Sequence, residues 1–358
     1  MPNLDAARAL ANRLRLTEDL LGDSLSENEF SGREEHRDAM LRHGLLISSS
    51  VTPLLERRIS EVCERLIVPR EAVTAFVYNG SDVQADCLVD TPETCVLRFT
   101  SGLVNLMDEK EFQFVVAHEL GHFLLGHGAC SQHSTASSTE GFLIQRSREL
   151  SADRIGFLGV DNIDESVQAI IKTASGLGDE FLRFDVASFL SQAELLSNPS
   201  RGESHSSTHP SMVIRCRALL WFSMSVPTLA DFATTPEDVI SEIDNKVLTD
   251  LERYVDGRVR ARKLQASEDI TLWKSCVLVI SAGAFTNDMQ NRVARELGEP
   301  LLAGLRAFLG SHSTEELEGE ASSRLEASIK NLYREFPESA EEVERVAIAK
   351  AYETIELQ

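Results

Sequence analysis

The stretch Val115-Val116-Ala117-His118-Glu119-Leu120-Gly121-His122 restricts this chain more than any other. His118 and His122 are four residues apart, so on a helix both imidazoles share one face and can hold a tetrahedral Zn²⁺ together. Glu119 lies beside them, where a carboxylate can take a proton from a water activated by the metal. The flanking Phe112, Val115, Val116 and Leu120 are apolar, so the helix is expected to be buried with three ionisable groups in one turn. Buried charge is costly without a partner, and a bound cation is the usual remedy. The plainer alternative is a pair of core histidines satisfied by hydrogen bonds.

Zinc bound by two histidines needs a third protein ligand, leaving a fourth position for water. His127 falls nine residues after His118. At about 100° per residue, that puts it on the far side of a continuous helix. It also comes one residue too early for the metzincin spacing, so it reads as a helix-end residue suited to the C-terminal dipole. Arg148-Glu149-Leu150-Ser151-Ala152-Asp153-Arg154 is the better source. Glu149 and Asp153 are spaced to share a helix face. One can reach the metal while the other orients a ligand histidine through its free ring N–H. Ser151 and Ala152 between them are small enough to let two helices approach closely.

The rest of the chain divides by pattern. Val73–Tyr78, Val83–Val89 and Cys95–Phe99 read as short strands set between turn signals, a small sheet within Val73–Thr100. Helical spacing covers residues 1–25, 51–66, 107–126, 140–157 and two helices within 163–196, and it resumes after Met212. The expected fold is therefore α+β and mostly helical: a zincin-like core with a small sheet and the H-E-x-x-H helix, plus an all-helical C-terminal module. The expected boundaries are an N-terminal helical, charged extension over 1–50, a metallopeptidase domain over 51–265 and an acidic helical module over 266–358. From Ser311 to Gln358 that module carries twelve Glu against five Lys and Arg.

The 35 Lys and Arg against 57 Asp and Glu give a formal charge of −22. A surface that acidic repels phosphate backbones, so a nucleic-acid partner is not expected. The longest apolar run, Ser275–Phe285, is about half of the ~20 residues of a spanning helix, and the first thirty residues lack the apolar core of a signal peptide. Six scattered cysteines without a C-x-x-C pair suit reduced thiols in a cytoplasmic compartment.

The order H-E-L-G-H then E-L-S-A-D resembles the gluzincin metallopeptidases that include HtpX and the CAAX prenyl proteases. The likeness extends to Phe99-Thr100-Ser101-Gly102-Leu103 upstream and to Ser207-Thr208-His209-Pro210-Ser211 with Arg215 downstream. The resemblance implies that His118, His122 and Glu149 bind one Zn²⁺, that Glu119 is the general base and that Asp153 hydrogen-bonds a ligand histidine. It also implies that His209 serves the catalytic site and that Arg215 contacts substrate or oxyanion. Two departures stand out. Those relatives are membrane proteins, whereas this chain reads as a soluble branch. The family's Asn-Ala-x-Ala substrate-edge strand is replaced by Val83-Gln84-Ala85-Asp86-Cys87.

The resulting expectation is a zinc-dependent metalloendopeptidase acting on a protein or peptide, with the extended substrate pairing beside Cys95–Thr100. The alternative is a catalytically silent, zinc-stabilised binding or scaffold protein, against which the intact Glu119 argues. The helical region after Ala266 could recruit a partner protein, and its Val277–Phe285 stretch has a faint likeness to TerB-type helical domains.

Overall fold

Leu45 to Thr100 forms a four-stranded mixed sheet in the order β1-β2-β4-β3. The strands are β1 (Leu45–Leu46), β2 (Val73–Tyr78), β3 (Ala85–Thr91) and β4 (Thr94–Thr100). The computed structural model describes residues 2–16, 19, 40–127, 138–183, 185–196, 210–311 and 314–356. Within them the α+β, mostly helical architecture expected from the pattern is what the structure shows. Strands β2 and β4 run parallel, and β1 and β3 pair antiparallel on either side of them. β4 therefore has both edges occupied, and an extended substrate cannot pair beside Cys95–Thr100 as expected. Among the described residues the open edge on that side belongs to β3, because antiparallel pairing of Ala85–Thr91 covers β4.

The chain leaves β4 through the short helix Ser101–Leu106 and enters the H-E-x-x-H helix, Glu109–Leu124. A capping box starts that helix. The Asp108 carboxylate accepts from the Glu111 amide, and the Glu111 carboxylate accepts from the Asp108 amide. The buried Lys172 ammonium compensates the buried Glu111 carboxylate at 2.7 Å. Helix Thr139–Val160 lies against the H-E-x-x-H helix through very small residues. A Cβ on Gly159 would sit 2.3 Å from the Ala117 Cβ, and one on Gly121 would sit 3.3 Å from the Ala152 backbone. Ala152 thus does what its size suggested. Ser151 points elsewhere and accepts from the Leu16 amide.

Residues near the N-terminus are part of this core. Helix Leu4–Asn12 is capped by the Asn3 side chain, and Ala7, Ala11, Leu14 and Leu16 are buried with Leu120 and Phe123. Arg154 donates to the Leu14 carbonyl at 3.2 Å, which ties the end of this segment to helix Thr139–Val160.

The chain divides into two compact units. The first comprises Met1–Ala136 and Phe142–Val255, the second Ser137–Gly141 and Asp256–Gln358. In the second unit helix Gly257–Ser281 packs on Thr314–Glu335 and Ala340–Glu356, around an apolar core that includes Leu278, Val279, Leu305 and Phe308. Among the described residues no helix is long and apolar enough to cross a membrane.

Candidate metal centre

The H-E-x-x-H helix is buried almost all round, and His118 and Glu119 retain 7% and 8% of their exposure. The i, i+4 spacing brings the His118 and His122 Nε2 atoms to 3.1 Å from each other. From helix Thr139–Val160 the Glu149 carboxylate straddles the pair, 3.6 Å from His118 Nε2 and 3.5 Å from His122 Nε2. The three residues form a group whose ligand atoms converge as a metal requires. Zinc with arms of ~2.0–2.1 Å needs tetrahedral ligand–ligand edges of about 3.3–3.4 Å, which these three separations bracket. Two imidazole nitrogens and a carboxylate form the borderline donor set that zinc favours. The residues present fit the ion.

Asp153 stands one turn beyond Glu149, with its Oδ1 3.0 Å from His118 Nδ1. That leaves Nε2 of His118 turned toward Glu149 and His122. Arg215, on helix Met212–Ser225, grips Asp153 with two hydrogen bonds: Nε donates to Oδ2 at 2.8 Å and Nη2 to Oδ1 at 2.6 Å. Its Nη1 lies 3.9 Å from Glu149 Oε2. The structure therefore puts Arg215 beside the two carboxylates, with two of its five N–H donors committed to Asp153. His209, with Ser207 and Thr208, lies outside the described residues.

Charges in this cluster are set by burial and by each other. Burial works against a charged His118, but the close Asp153 and Glu149 carboxylates outweigh it and raise the imidazole to about 10. Burial likewise opposes the Glu149 carboxylate, yet His118, His122 and Arg215 hold it well below the usual range. Asp153 is depressed too, burial being overcome by Arg215 and His118. Glu119 behaves differently. Burial drives its carboxyl up to about 7, with the His118 charge pulling down and Glu149 pushing up. A carboxyl poised near neutrality can accept and return a proton at working pH.

His127 does follow the helix end, as expected, but it is buried rather than offering a cationic tip to the dipole. The helix stops at Leu124, and Gly126 turns the chain with a φ of +73°. The geometry of a continuous helix therefore no longer applies, and the His127 Nδ1 returns to within 2.9 Å of His122 Nδ1. Burial keeps this imidazole below its ordinary pKa, against the pull of Asp19. Its other nitrogen, Nε2, faces the fully buried Asp19 carboxylate at 3.0 Å. Sequence reasoning weighed His127 only as a third ligand or a helix end, and it passed over Asp19. The one available signal was Gly126, a residue that favours ending a helix; nothing local marks Asp19.

An H-E-x-x-H helix, an E-x-x-x-D helix packed on it and a mixed sheet beside them make up a zincin-like peptidase core. Comparison with known proteins agrees. Residues 50–143 match the family model for peptidase family M48. Protease HtpX homologs of Trichormus variabilis and of a Nostoc species are each 30% identical over 78 residues, 22% of this chain and 26% of the relative. The chain thus spans about a quarter of the length of the curated relatives it matches. No solved structure matches it at a significant level. On these matches residues 50–143 are similar to the M48 metallopeptidases, HtpX-like proteases among them.

Proposed function

We propose that this protein is a zinc-dependent metalloendopeptidase. The observation that carries the reading is the convergence of His118, His122 and Glu149 at separations of 3.1–3.6 Å, with Glu119 in the same helical turn. These three residues would hold one Zn²⁺ per chain. When bound, the ion supplies Lewis acidity to the scissile carbonyl and lowers the pKa of water toward ~7.

The protein's own residues do the rest. Glu119 takes a proton from the attacking water and returns it to the leaving amine, a task matched to its near-neutral carboxyl. Asp153, held by Arg215, fixes the His118 tautomer so that Nε2 presents its lone pair. In this reading Arg215 acts through Asp153 rather than as a direct oxyanion contact. The packing of β3 on the H-E-x-x-H helix supports an extended peptide pairing along β3, with backbone hydrogen bonds giving affinity. A silent scaffold would need no base, and Glu119 in the same helical turn as the two histidines speaks against one.

The test is hydrolysis of unstructured protein or peptide substrates by wild type and by Glu119→Gln. The variant should keep its zinc and lose about 100- to 10,000-fold in rate. Full activity in the variant, or wild-type activity unaffected by a chelator, would reject the reading.

A further inference from the structure

The two candidate ligand histidines have unequal supports. His118 is held by Asp153 from the adjacent helix, while the Nδ1 of His122 meets another imidazole, that of His127, at 2.9 Å. Behind His127 stands Asp19, whose Oδ1 and Oδ2 lie 3.0 and 3.1 Å from Nε2. Asp19 has no exposure, and its Oδ1 is also approached by Arg15 at 3.1 Å and Arg148 at 3.5 Å. The rings of His122 and His127 meet edge to face, their centroids 5.1 Å apart.

Proton placement along this row follows from one requirement. If His122 offers the Nε2 lone pair to a metal, its single ring proton sits on Nδ1. That proton points at His127 Nδ1, which must therefore be the acceptor, and the His127 proton must sit on Nε2. There it meets the Asp19 carboxylate. Every donor in the row has one acceptor, and reversing any member would set two protons or two lone pairs against each other.

We propose that His127 and Asp19 form a positioning relay that fixes the tautomer and ring plane of His122. The segment reaching Asp19 is then a working part of the metal centre and not a removable extension. This rests on the metallopeptidase reading, since the relay has meaning only if His122 is a ligand. Ligand histidines usually donate their second nitrogen directly to a carboxylate or carbonyl. Here a second imidazole carries that interaction to a carboxylate 108 residues earlier in the chain than His127.

The experiment measures zinc dissociation constants of the full-length protein by competition with a chromogenic chelator, alongside the visible absorption of the cobalt(II)-substituted form. His127→Phe keeps a ring but no nitrogen, whereas His127→Gln keeps one acceptor and one donor. Glu149→Gln serves as the ligand control, and circular dichroism of the metal-free proteins reports folding. The relay predicts that His127→Phe weakens zinc about 10- to 100-fold and shifts the cobalt bands. His127→Gln should restore most of that loss, and Asp19→Asn should fall between them. Wild-type affinity and an unshifted spectrum in folded His127→Phe overturn the relay, as does a Gln variant no better than Phe. If His127→Phe does not fold, a wild-type constant for Asp19→Asn is the overturning result. A wild type that binds no zinc removes the metallopeptidase reading itself, a distinct failure.

Discussion

The two units of this protein bury different things. The core of the second is apolar, built from Leu278, Val279, Val293, Leu302, Leu305 and Phe308, with a single buried carboxylate among the described residues, Glu140, which accepts from the Ser339 hydroxyl. The first buries an equally apolar core, but it also encloses Asp19, Glu111, His118, Glu119, His127, Asp153, Arg154 and Lys172. Burying a charge costs several kcal/mol unless geometry and hydrogen bonds offset it. Most of these groups carry that compensation in visible form: Lys172 meets Glu111, Arg215 meets Asp153 and His127 meets Asp19. At His118, His122 and Glu149 the ligand atoms converge closely enough to hold a metal ion, and in the proposed reading a cation completes the compensation there. An apolar core shows how a region stays folded, whereas concentrated buried charge shows where it works.

That contrast can be broken by substitution, and the largest effect is expected in the polar unit. Lys172→Ala leaves the Glu111 carboxylate buried beside the capping box, and removing one partner of a buried pair costs about 3–5 kcal/mol. Chemical denaturation should show that loss; a change below about 1 kcal/mol, the scale of an exposed pair, would mean that the pair is solvated. In the second unit Leu305→Ala should cost about 2–5 kcal/mol as a cavity while leaving zinc affinity at the wild-type value. A chelator titration showing weakened zinc in that variant would erase the distinction between the units.

A smaller effect separates metal from proton. His118 of the metal-free site holds its proton up to about pH 10, so zinc must displace that proton. Its apparent affinity should rise about tenfold per pH unit between pH 7 and 9. For the metal-free protein the sign reverses. The stability contributed by protonated His118 is fully present below about 6.5, the ordinary histidine value, and is lost as the pH rises through about 10. Zinc affinity that stays flat between pH 7 and 9 would show that His118 is already neutral.

The parts of this design written in local spacing were legible in the sequence. His118 with His122, and Glu149 with Asp153, are i, i+4 pairs, and helical geometry alone places each pair on one face. The three longer strands were visible in their β-prone composition and turn signals, within about two residues of the observed ends. What stayed hidden was set by tertiary contact. β1 is only Leu45–Leu46 and exists through its pairing with Val77 and Phe76. The interior position of β4 depends on strand order, which short strands do not encode one by one. Asp19 becomes a partner of His127 only after the N-terminal segment has packed against helix Thr139–Val160. A single left-handed glycine, Gly126, turned the expected helix-end histidine into part of the centre.

The ligand set itself is open to one direct measurement, X-ray absorption at the zinc edge of the purified, zinc-loaded protein. It should show one zinc per chain bound by two imidazole nitrogens and a carboxylate oxygen at ~2.0–2.1 Å, with one further light-atom ligand. One imidazole should disappear in His122→Ala. A sulfur shell at ~2.3 Å, or a spectrum unchanged by removing His122 or Glu149, would place the metal elsewhere and contradict the account.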